Sequence, residues 1–193
     1  MTTRPICIEA EIQVRKTLEI AARLEFGCRI QQHEQSGHVS SDAALALSVE
    51  PEQIIKTLYL KESKGLKRGI AAIMVGNHRL DTKKLENISG MKKLRFASMG
   101  EITTDLDGFM PGGVPVVIFA EKKIPVYVDK YILCSIYPEI IGSGGTPFHA
   151  MYFEPKRLVD KLGYMVEDIA VHAPDATVEI VPSEVKDKKR FAI

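Results

Sequence analysis

Apolar residues recur along parts of this chain at the three- and four-residue spacing that places them on one face of a helix. The longest such stretch covers residues 9–25. A second helix is predicted over 42–48, because Ser40 and Ser41 can accept hydrogen bonds from the free N–H groups at a helix start. Shorter helices are predicted, in chain order, at 82–90, at 100–106, over one turn from Asp129, and at 155–162.

Other stretches alternate apolar and polar residues, or run apolar without a break, as strands do. The pattern is weak at 28–33 and strong at 53–61 and 69–76. Further strands are predicted at 94–98, 114–119, 125–128 and 178–181, with AEKKI as a hairpin connection between 114–119 and 125–128. Because helices and strands follow one another without regular alternation, we predict a mixed α/β fold: a twisted, partly barrel-like mixed sheet surrounded by helices.

The composition is that of an ordinary globular protein. The 193 residues are 45% hydrophobic and 26% charged, and the formal net charge is +1. A chain of this length can bury one core without disulfides or metal. Its charge balance excludes a polybasic nucleic-acid tether and leaves room for a local basic patch. No apolar run approaches the length of a membrane span, so we expect a cytoplasmic protein.

Few side chains suggest a metal centre or an acid–base pair. Cys7, Cys28 and Cys134 lie far apart, and the five histidines lie singly, at no metal-ligand spacing. We therefore expect free thiols in a reducing compartment, no metal, no cofactor, and histidines that are surface or core residues. The sequence also lacks the motifs GxSxG and HExxH. Two glycine-rich segments and one strand lysine remain as candidates, a set that suits positioning and oxyanion stabilisation more than proton transfer.

The first glycine-rich segment is GFMPGGVP at 108–115. Gly112 and Gly113 have no side chains, so their backbone N–H groups could approach a ligand oxygen and form an oxyanion site. The alternative is a tight turn that only leads into the strand predicted at 114–119.

The second glycine-rich segment is GSGGTP at 142–147, which lacks the lysine of a P-loop. Ser143 within it is either a turn hydroxyl or a ligand contact. Asp129, which precedes this segment, most simply caps a helical turn.

Lys56 is a cation within the strand predicted at 53–61. Period-two alternation places it in a row with Ile54, Leu58 and Leu60, which are all apolar. It is either an edge-strand lysine whose stem reaches out to water, or a lysine at the floor or rim of a pocket that holds an anion.

Together these segments resemble the YbaK/ProX family of aminoacyl-tRNA editing domains. The matching pieces lie in the family's order between about residues 10 and 165, a stretch that we expect to form one domain, 1–165, followed by a C-terminal extension with a basic tail, 166–193. The pieces are DAALALSVEPEQIIKTLYL at 42–60, VGNHRLDTKKL at 75–85, GFMPGGVP at 108–115, YVDKYIL at 127–133, GSGG at 142–145 and YFEPKRLV at 152–159.

The resemblance implies metal-independent hydrolysis of the ester that links a mischarged amino acid to its tRNA. Members are thought to use the 2′-hydroxyl of the terminal adenosine in place of a protein base. The family's pocket lysine matches Lys56, and its two loops match the two glycine-rich segments. We accordingly predict Lys56, Gly112 and Gly113 as catalytic. The predicted substrate-binding residues are Thr57, Phe109, Val114, Asp129, Gly142, Ser143, Gly144 and Gly145.

Two positions depart from the family pattern. Many relatives have a proline where this chain has Val116, and Pro115 comes one residue earlier. Many cysteine-editing relatives follow the second loop with Lys-Arg, where this chain has Thr146 and Pro147. Their cysteine specificity is therefore not carried over to this chain.

Three hypotheses for the function follow. The first is a trans-acting deacylase for tRNA mischarged with a small amino acid (Ala, Cys or Ser), with the tRNA acceptor end and an aminoacyl-tRNA synthetase as partners and no membrane. The second is a non-catalytic tRNA- or aminoacyl-nucleotide-binding protein, and the third a small-ligand protein without nucleic-acid contact. Basic residues would either follow tRNA phosphates or form a solvated surface. They are Lys64, Lys67, Arg68, Lys83, Lys84, Lys92, Lys93 and Arg95.

Overall fold

The computed structural model describes residues 8–34, 36, 40–63 and 69–171. The helices are α1 (Ile8–Arg23), α2 (Ser40–Leu47), α3 (Thr82–Ser89), α4 (Met99–Asp105), α5 (Val117–Glu121), α6 (Lys130–Leu133) and α7 (Arg157–Asp160). The strands are β1 (Arg29–Gln32), β2 (Ile55–Glu62), β3 (Gly69–Val75), β4 (Arg79–Leu80), β5 (Leu94–Phe96), β6 (Val126–Asp129), β7 (Ile140–Ser143), β8 (His149–Phe153), β9 (Met165–Glu167) and β10 (Ala170–Val171).

A five-stranded mixed sheet with the order β5-β2-β3-β6-β9 forms the centre of the fold. β2 runs antiparallel to both of its neighbours, whereas β3, β6 and β9 are parallel. Buried residues of α1 and α5 pack on one face of this sheet, and Leu85 of α3 packs on the other. The mixed α/β prediction is therefore confirmed, and most predicted helices and strands lie at or near their predicted positions.

A second, antiparallel sheet has the order β1-β8-β7, and β4 pairs with β10 in a small third sheet. A single parallel bridge between Ile54 and Ile141 joins the second sheet to the start of β2. Within the described residues, β5 and β9 are edge strands of the central sheet, which does not close. The partly barrel-like shape that we predicted is not confirmed.

A gap opens in the sheet beside β2. The bridge at Ile54 marks one end of it, and pairing with β5 begins only at Leu60. The backbone N–H of Ala97 donates to the carbonyl of Tyr59 just before that pairing starts. Between this bridge and that pairing, the edge of β2 at Thr57 therefore has no neighbouring strand in the described part of the chain, and its polar backbone groups are open to a ligand.

The strand predicted at 114–119 is wrong, because the second half of this run begins helix α5 and the first half forms no strand. Val117, Ile118 and Phe119 are all fully buried, so the run has apolar residues on every side and no periodicity that separates helix from strand. Pro115 starts the turn, with the N–H of Ile118 donating to its carbonyl. The predicted hairpin is wrong for the same reason, since β6 pairs in parallel with β3 and β9.

The end of the described chain belongs to the same fold. β9 pairs with β6, and β10 pairs with β4, so residues 165–171 continue the sheets beyond the domain boundary that we predict at 165. The predicted strand at 178–181 and the basic tail lie outside the described residues.

Candidate functional site

A cleft of about 400 Å³ lies at the gap beside β2. Its walls come from the open edge of β2, from α2, from the first residues of α4, from β7, and from both glycine-rich segments. Six of the predicted site residues line it: Lys56, Thr57, Gly112, Val114, Gly142 and Ser143. The structure thus brings together segments that lie almost ninety positions apart in the chain, as a binding site requires.

Thr57 presents its backbone to the cleft. The carbonyl of Tyr59 points toward the β5 side of β2, where it accepts from Ala97. Successive residues of a strand direct their polar groups to alternate sides, so the N–H and C=O of Thr57 point to this same side. No strand covers them there among the described residues, and they offer a bound molecule one donor and one acceptor.

The first glycine-rich segment folds into a tight turn. The N–H of Gly113 donates to the carbonyl of Met110 at 2.8 Å, and Gly112 has φ of +78°. Proline at the second position and a glycine with positive φ at the third are typical of a type II turn. The N–H of Gly113 is therefore not free, contrary to our prediction. Gly112 lines the cleft, and its N–H makes no bond to a described residue.

The two glycine-rich segments touch. A Cβ atom added at Gly113 would lie 3.0 Å from both the Gly145 carbonyl oxygen and the Cα of Thr146. Gly145 itself has φ of +114°, and a Cβ there would lie 2.8 Å from the Gln13 carbonyl of α1. Gly113, Gly144 and Gly145 thus support the cleft wall without lining it, and glycine is needed because the backbones approach so closely.

Two other predicted residues lie away from the cleft. Asp129 is fully buried, and its carboxylate accepts hydrogen bonds from the backbone N–H groups of Tyr131, Ile169 and Ala170 at 3.1, 3.2 and 2.9 Å. It caps α6 and ties β10 to β6. Phe109 is fully buried in the core beneath the Lys16 ammonium, which lies 5.6 Å from its ring centre. The structure does not bring either residue into the cleft.

Lys56 is half-buried at the wall of the cleft. Its Nζ donates to the carbonyl of Gly76 at 3.0 Å and to the carbonyl of His78, both in the turn between β3 and β4. Burial lowers the pKa of this ammonium. The side chain is thus held by two neutral carbonyls, and the third N–H of the ammonium can meet a ligand.

The cleft also contains a hydrogen-bonded pair that we did not predict from the sequence, Thr146 and His149. The Thr146 Oγ1 lies 2.7 Å from Nδ1 of His149, and the N–H of Phe148 donates to the same oxygen at 3.1 Å. Both residues line the cleft. Burial, together with the charge of His33, lowers the pKa of His149. A single histidine in a sequence gives no sign of such a contact.

The apolar wall of the cleft includes Tyr59 and Phe119, whose ring centres lie 5.9 Å apart. The Tyr59 hydroxyl donates to Asp105 at 3.0 Å, and the ammonium of Lys61 lies 2.6 Å from the same carboxylate oxygen. Burial raises the pKa of Tyr59. These contacts hold α4 against β2. Phe119 was not among the predicted site residues, because the run that contains it was assigned as a strand.

Several predicted phosphate-binding cations are already paired. Lys84 forms an ion pair with Asp168 at 2.7 Å, and both guanidinium nitrogens of Arg95 contact Glu101 at 2.7 Å. Lys83, Lys92 and Lys93 make no ion pair with a described residue, and remain candidates. The predicted residues Lys64, Lys67 and Arg68 lie outside the described residues.

The described residues contain no cluster of three or more side chains that could ligate a metal ion. Cys28 and Cys134 are free thiols, and Cys7 lies outside the described residues. Among the helices described, none is both long enough and apolar enough to span a membrane.

Comparisons with known proteins agree on one family. Residues 33–161 match the family model described as the aminoacyl-tRNA editing domain. The EbsC protein of Enterococcus faecalis, named as a candidate Cys-tRNA(Pro)/Cys-tRNA(Cys) deacylase, is 33% identical over 110 residues, which are 56% of this chain and 63% of EbsC. The proline–tRNA ligase of Stenotrophomonas maltophilia is 29% identical over 109 residues, 56% of this chain and 19% of the ligase. The chain therefore spans less than two thirds of either relative.

A solved structure supports the same grouping. The crystal structure of a protein described as a candidate trans-editing enzyme for prolyl-tRNA synthetase superposes with a TM-score of 0.71 at 27% sequence identity. The match covers 89% of this chain and all of that protein.

Proposed function

The chain belongs to the aminoacyl-tRNA editing domain family, and from this premise we propose that it is a trans-acting deacylase of mischarged aminoacyl-tRNA. The observation that carries the proposal is the cleft itself, which is lined by a strand edge with free backbone groups, by Lys56 and by the Gly112 turn. Such a set can bind and polarise an ester.

In the proposed reaction, a water molecule attacks the carbonyl carbon of the aminoacyl ester. The bond from that carbon to the ribose oxygen breaks, which releases the free amino acid and restores the ribose hydroxyl. The neighbouring hydroxyl of the terminal ribose orients the water and takes part in the proton transfer, in place of a protein base. The third N–H of Lys56 and the N–H of Gly112 are the donors that we assign to the developing oxyanion, each contributing about 3 kcal/mol.

The substrate is proposed to carry a small amino acid, of the alanine, cysteine or serine class. The side-chain end of the cleft is bounded by the buried Phe119 and by Gly142, whose Cβ position already lies 3.4 Å from Ile55. The name of the E. faecalis relative refers to cysteinyl-tRNA, which is consistent with this size class. The partners would be the aminoacylated acceptor end of tRNA and a synthetase, with prolyl-tRNA synthetase the first to test because of the name of the structural relative.

A panel of charged tRNAs tests this function. The purified chain is incubated with Ala-, Cys-, Ser-, Pro- and Phe-tRNA, and the loss of each ester is measured against the rate without protein. We expect hydrolysis of the three small amino acids ahead of the others. A Lys56→Ala variant should be slow, and Lys161→Ala, which removes the lysine that follows α7 away from the cleft, should match the parent. Tight tRNA binding without hydrolysis would favour the non-catalytic alternative, and faster cleavage of the Phe ester would contradict the size class.

A further inference from the structure

We propose that His149, oriented by Thr146, is a substrate-binding hydrogen-bond donor in the cleft. The role rests on the proposed deacylase function and adds a side chain to a site otherwise built from a lysine and backbone groups.

The hydrogen-bond network assigns the proton on the His149 ring. The Thr146 hydroxyl oxygen accepts from the N–H of Phe148 at 3.1 Å, and its own hydrogen needs an acceptor because Thr146 is buried. Nδ1 of His149, at 2.7 Å, is that acceptor among the described residues. We therefore assign the hydrogen of the neutral ring to Nε2, which makes Nε2 a donor.

The backbone on both sides of the ring is fixed. The N–H of Gly144 donates to the His149 carbonyl at 2.7 Å, and the N–H of His149 donates to the carbonyl of Thr146 at 3.2 Å. His149 also begins β8, where it pairs with Gln32 of β1. A side chain on so constrained a backbone, with one ring nitrogen already bound, has little freedom to turn, and binding a ligand costs it little further entropy.

An uncharged donor suits particular atoms of the substrate. Burial and the charge of His33 lower the pKa of His149, which keeps the ring neutral near pH 7. A neutral donor is a weaker phosphate ligand than a lysine or arginine. The ester and ribose oxygens at the aminoacyl end are uncharged acceptors that must enter the cleft, so the proposed partner of Nε2 is one of these oxygens.

Two substitutions at position 149 distinguish the loss of the Nε2 donor from an effect on the fold. In His149→Asn, the amide oxygen can accept from Thr146 while no atom replaces Nε2. In His149→Gln, the longer amide can place an N–H near the position of Nε2. We expect kcat/KM for the best substrate of the parent to fall about tenfold in His149→Asn, as for the loss of one neutral hydrogen bond, and to recover most of that loss in His149→Gln.

Thr146 is tested as a positioning residue by a double-mutant cycle. Thr146→Val removes the hydroxyl, whereas Thr146→Ser keeps it and should lose less activity. Thr146→Val should slow the parent and add little further loss to His149→Asn, because the donor that it orients is already gone. Melting temperatures of all variants accompany the rates.

The outcomes separate this inference from the function on which it rests. A parent without deacylation overturns the proposed function. A parent that deacylates, with His149→Asn at the parental rate, overturns the inference alone. Equal losses in the Asn and Gln variants that follow their melting temperatures would show a structural role for His149, and also overturn it.

Discussion

Gly113 lies against the backbone of Gly145, so that a methyl group at Gly113 would stand 3.0 Å from the Gly145 carbonyl oxygen. The same methyl group would lie 3.2 Å from the carbonyl oxygen of Met110. Backbone atoms cannot turn aside as the end of a side chain can. The spacing of the two glycine-rich segments, which form one side of the cleft, is thus set by the absence of a side chain at this position.

Gly113→Ala is therefore expected to separate the two segments. We expect deacylation to fall at least tenfold, since a displacement of about 1 Å in a positioned site costs up to about 10²-fold. Overpacking should also lower the free energy of unfolding by about 1–3 kcal/mol. Initial rates and denaturant unfolding of the purified variant measure both effects.

Gly100→Ala provides the matched control. A Cβ at Gly100, in the first turn of α4, meets no atom within 4 Å and needs no positive φ. The free energy of unfolding should stay the same or rise by up to about 1 kcal/mol, because alanine favours helix over glycine. Gly113→Ala with parental activity and stability would show that the contact between the segments is unimportant.

Local patterns in the sequence were enough to predict much of this cleft. Alternation predicted β2, and hence the position of Lys56 on a strand, since a period of two is a property of the strand alone. The tight turn that we gave as the alternative for the first glycine-rich segment is present. Features that depend only on residues close in sequence could therefore be predicted.

Features that depend on tertiary packing could not be predicted from the sequence. The run at 114–119 is buried on all sides, which removes the one signal that separates helix from strand. The free edge of β2 results from where β5 and β7 begin their pairing, and no residue of β2 encodes it. Likewise, the carbonyl that makes glycine necessary at position 145 belongs to Gln13, more than a hundred residues earlier.

Asp129 is expected to act on stability and not on substrate binding, unlike our prediction from the sequence. Asp129→Ala would leave three N–H groups without their acceptor, two of which belong to buried residues. At about 1–3 kcal/mol for each unsatisfied buried group, we expect the free energy of unfolding to fall by several kcal/mol. Denaturant titration measures it.

Kinetics of the milder variant Asp129→Asn complete this test. One amide oxygen can still accept where the carboxylate did, so part of the protein should stay folded at low temperature. KM for the charged tRNA, which does not depend on the fraction of the protein that is folded, should then equal that of the parent. A raised KM with unchanged stability would contradict this expectation and would show that Asp129 contributes to substrate binding.

Binding of tRNA should depend on salt in proportion to the number of phosphates that the protein neutralises. Lys92 and Lys93 make no ion pair with a described residue and are expected to contribute to this dependence, whereas Lys84 and Arg95 are held by carboxylates. The plot of log affinity against log salt should be linear with a negative slope. Lys92→Ala with Lys93→Ala should reduce the slope by about 0.7–0.9 for each phosphate that is no longer neutralised.

Lys161→Ala is the control for charge alone in this salt series. Its ammonium pairs with Glu25 at 3.2 Å, on the α7 side of the protein. The slope should not change when it is removed. Affinity that stays flat from low to moderate salt would exclude phosphate contacts as the main source of binding.

Substitution of Lys56 tests whether its ammonium acts in catalysis or only stabilises the fold. Its Nζ donates to the carbonyls of Gly76 and His78, so neither of our two predictions, a stem reaching into water or an anion-holding cation, describes all of its contacts. Lys56→Met keeps most of the apolar stem and removes the charge. If the third N–H stabilises the reacting ester, deacylation should fall about 10²-fold or more, as for the loss of one preorganised donor.

The stability of Lys56→Met shows whether its loss of activity comes from the missing ammonium or from unfolding. The two carbonyls lie in a turn that water can reach, and removing a half-buried cation also removes its desolvation penalty, so we expect Lys56→Met to cost about 1 kcal/mol or less. For a chain of this size that is a fall in Tm of about 2–4 °C. Lys56→Arg keeps the charge with a different geometry and should recover stability without restoring the rate. A Lys56→Met protein that deacylates at the parental rate, or one that loses activity only because it unfolds, would contradict the assignment of Lys56 to the catalytic site.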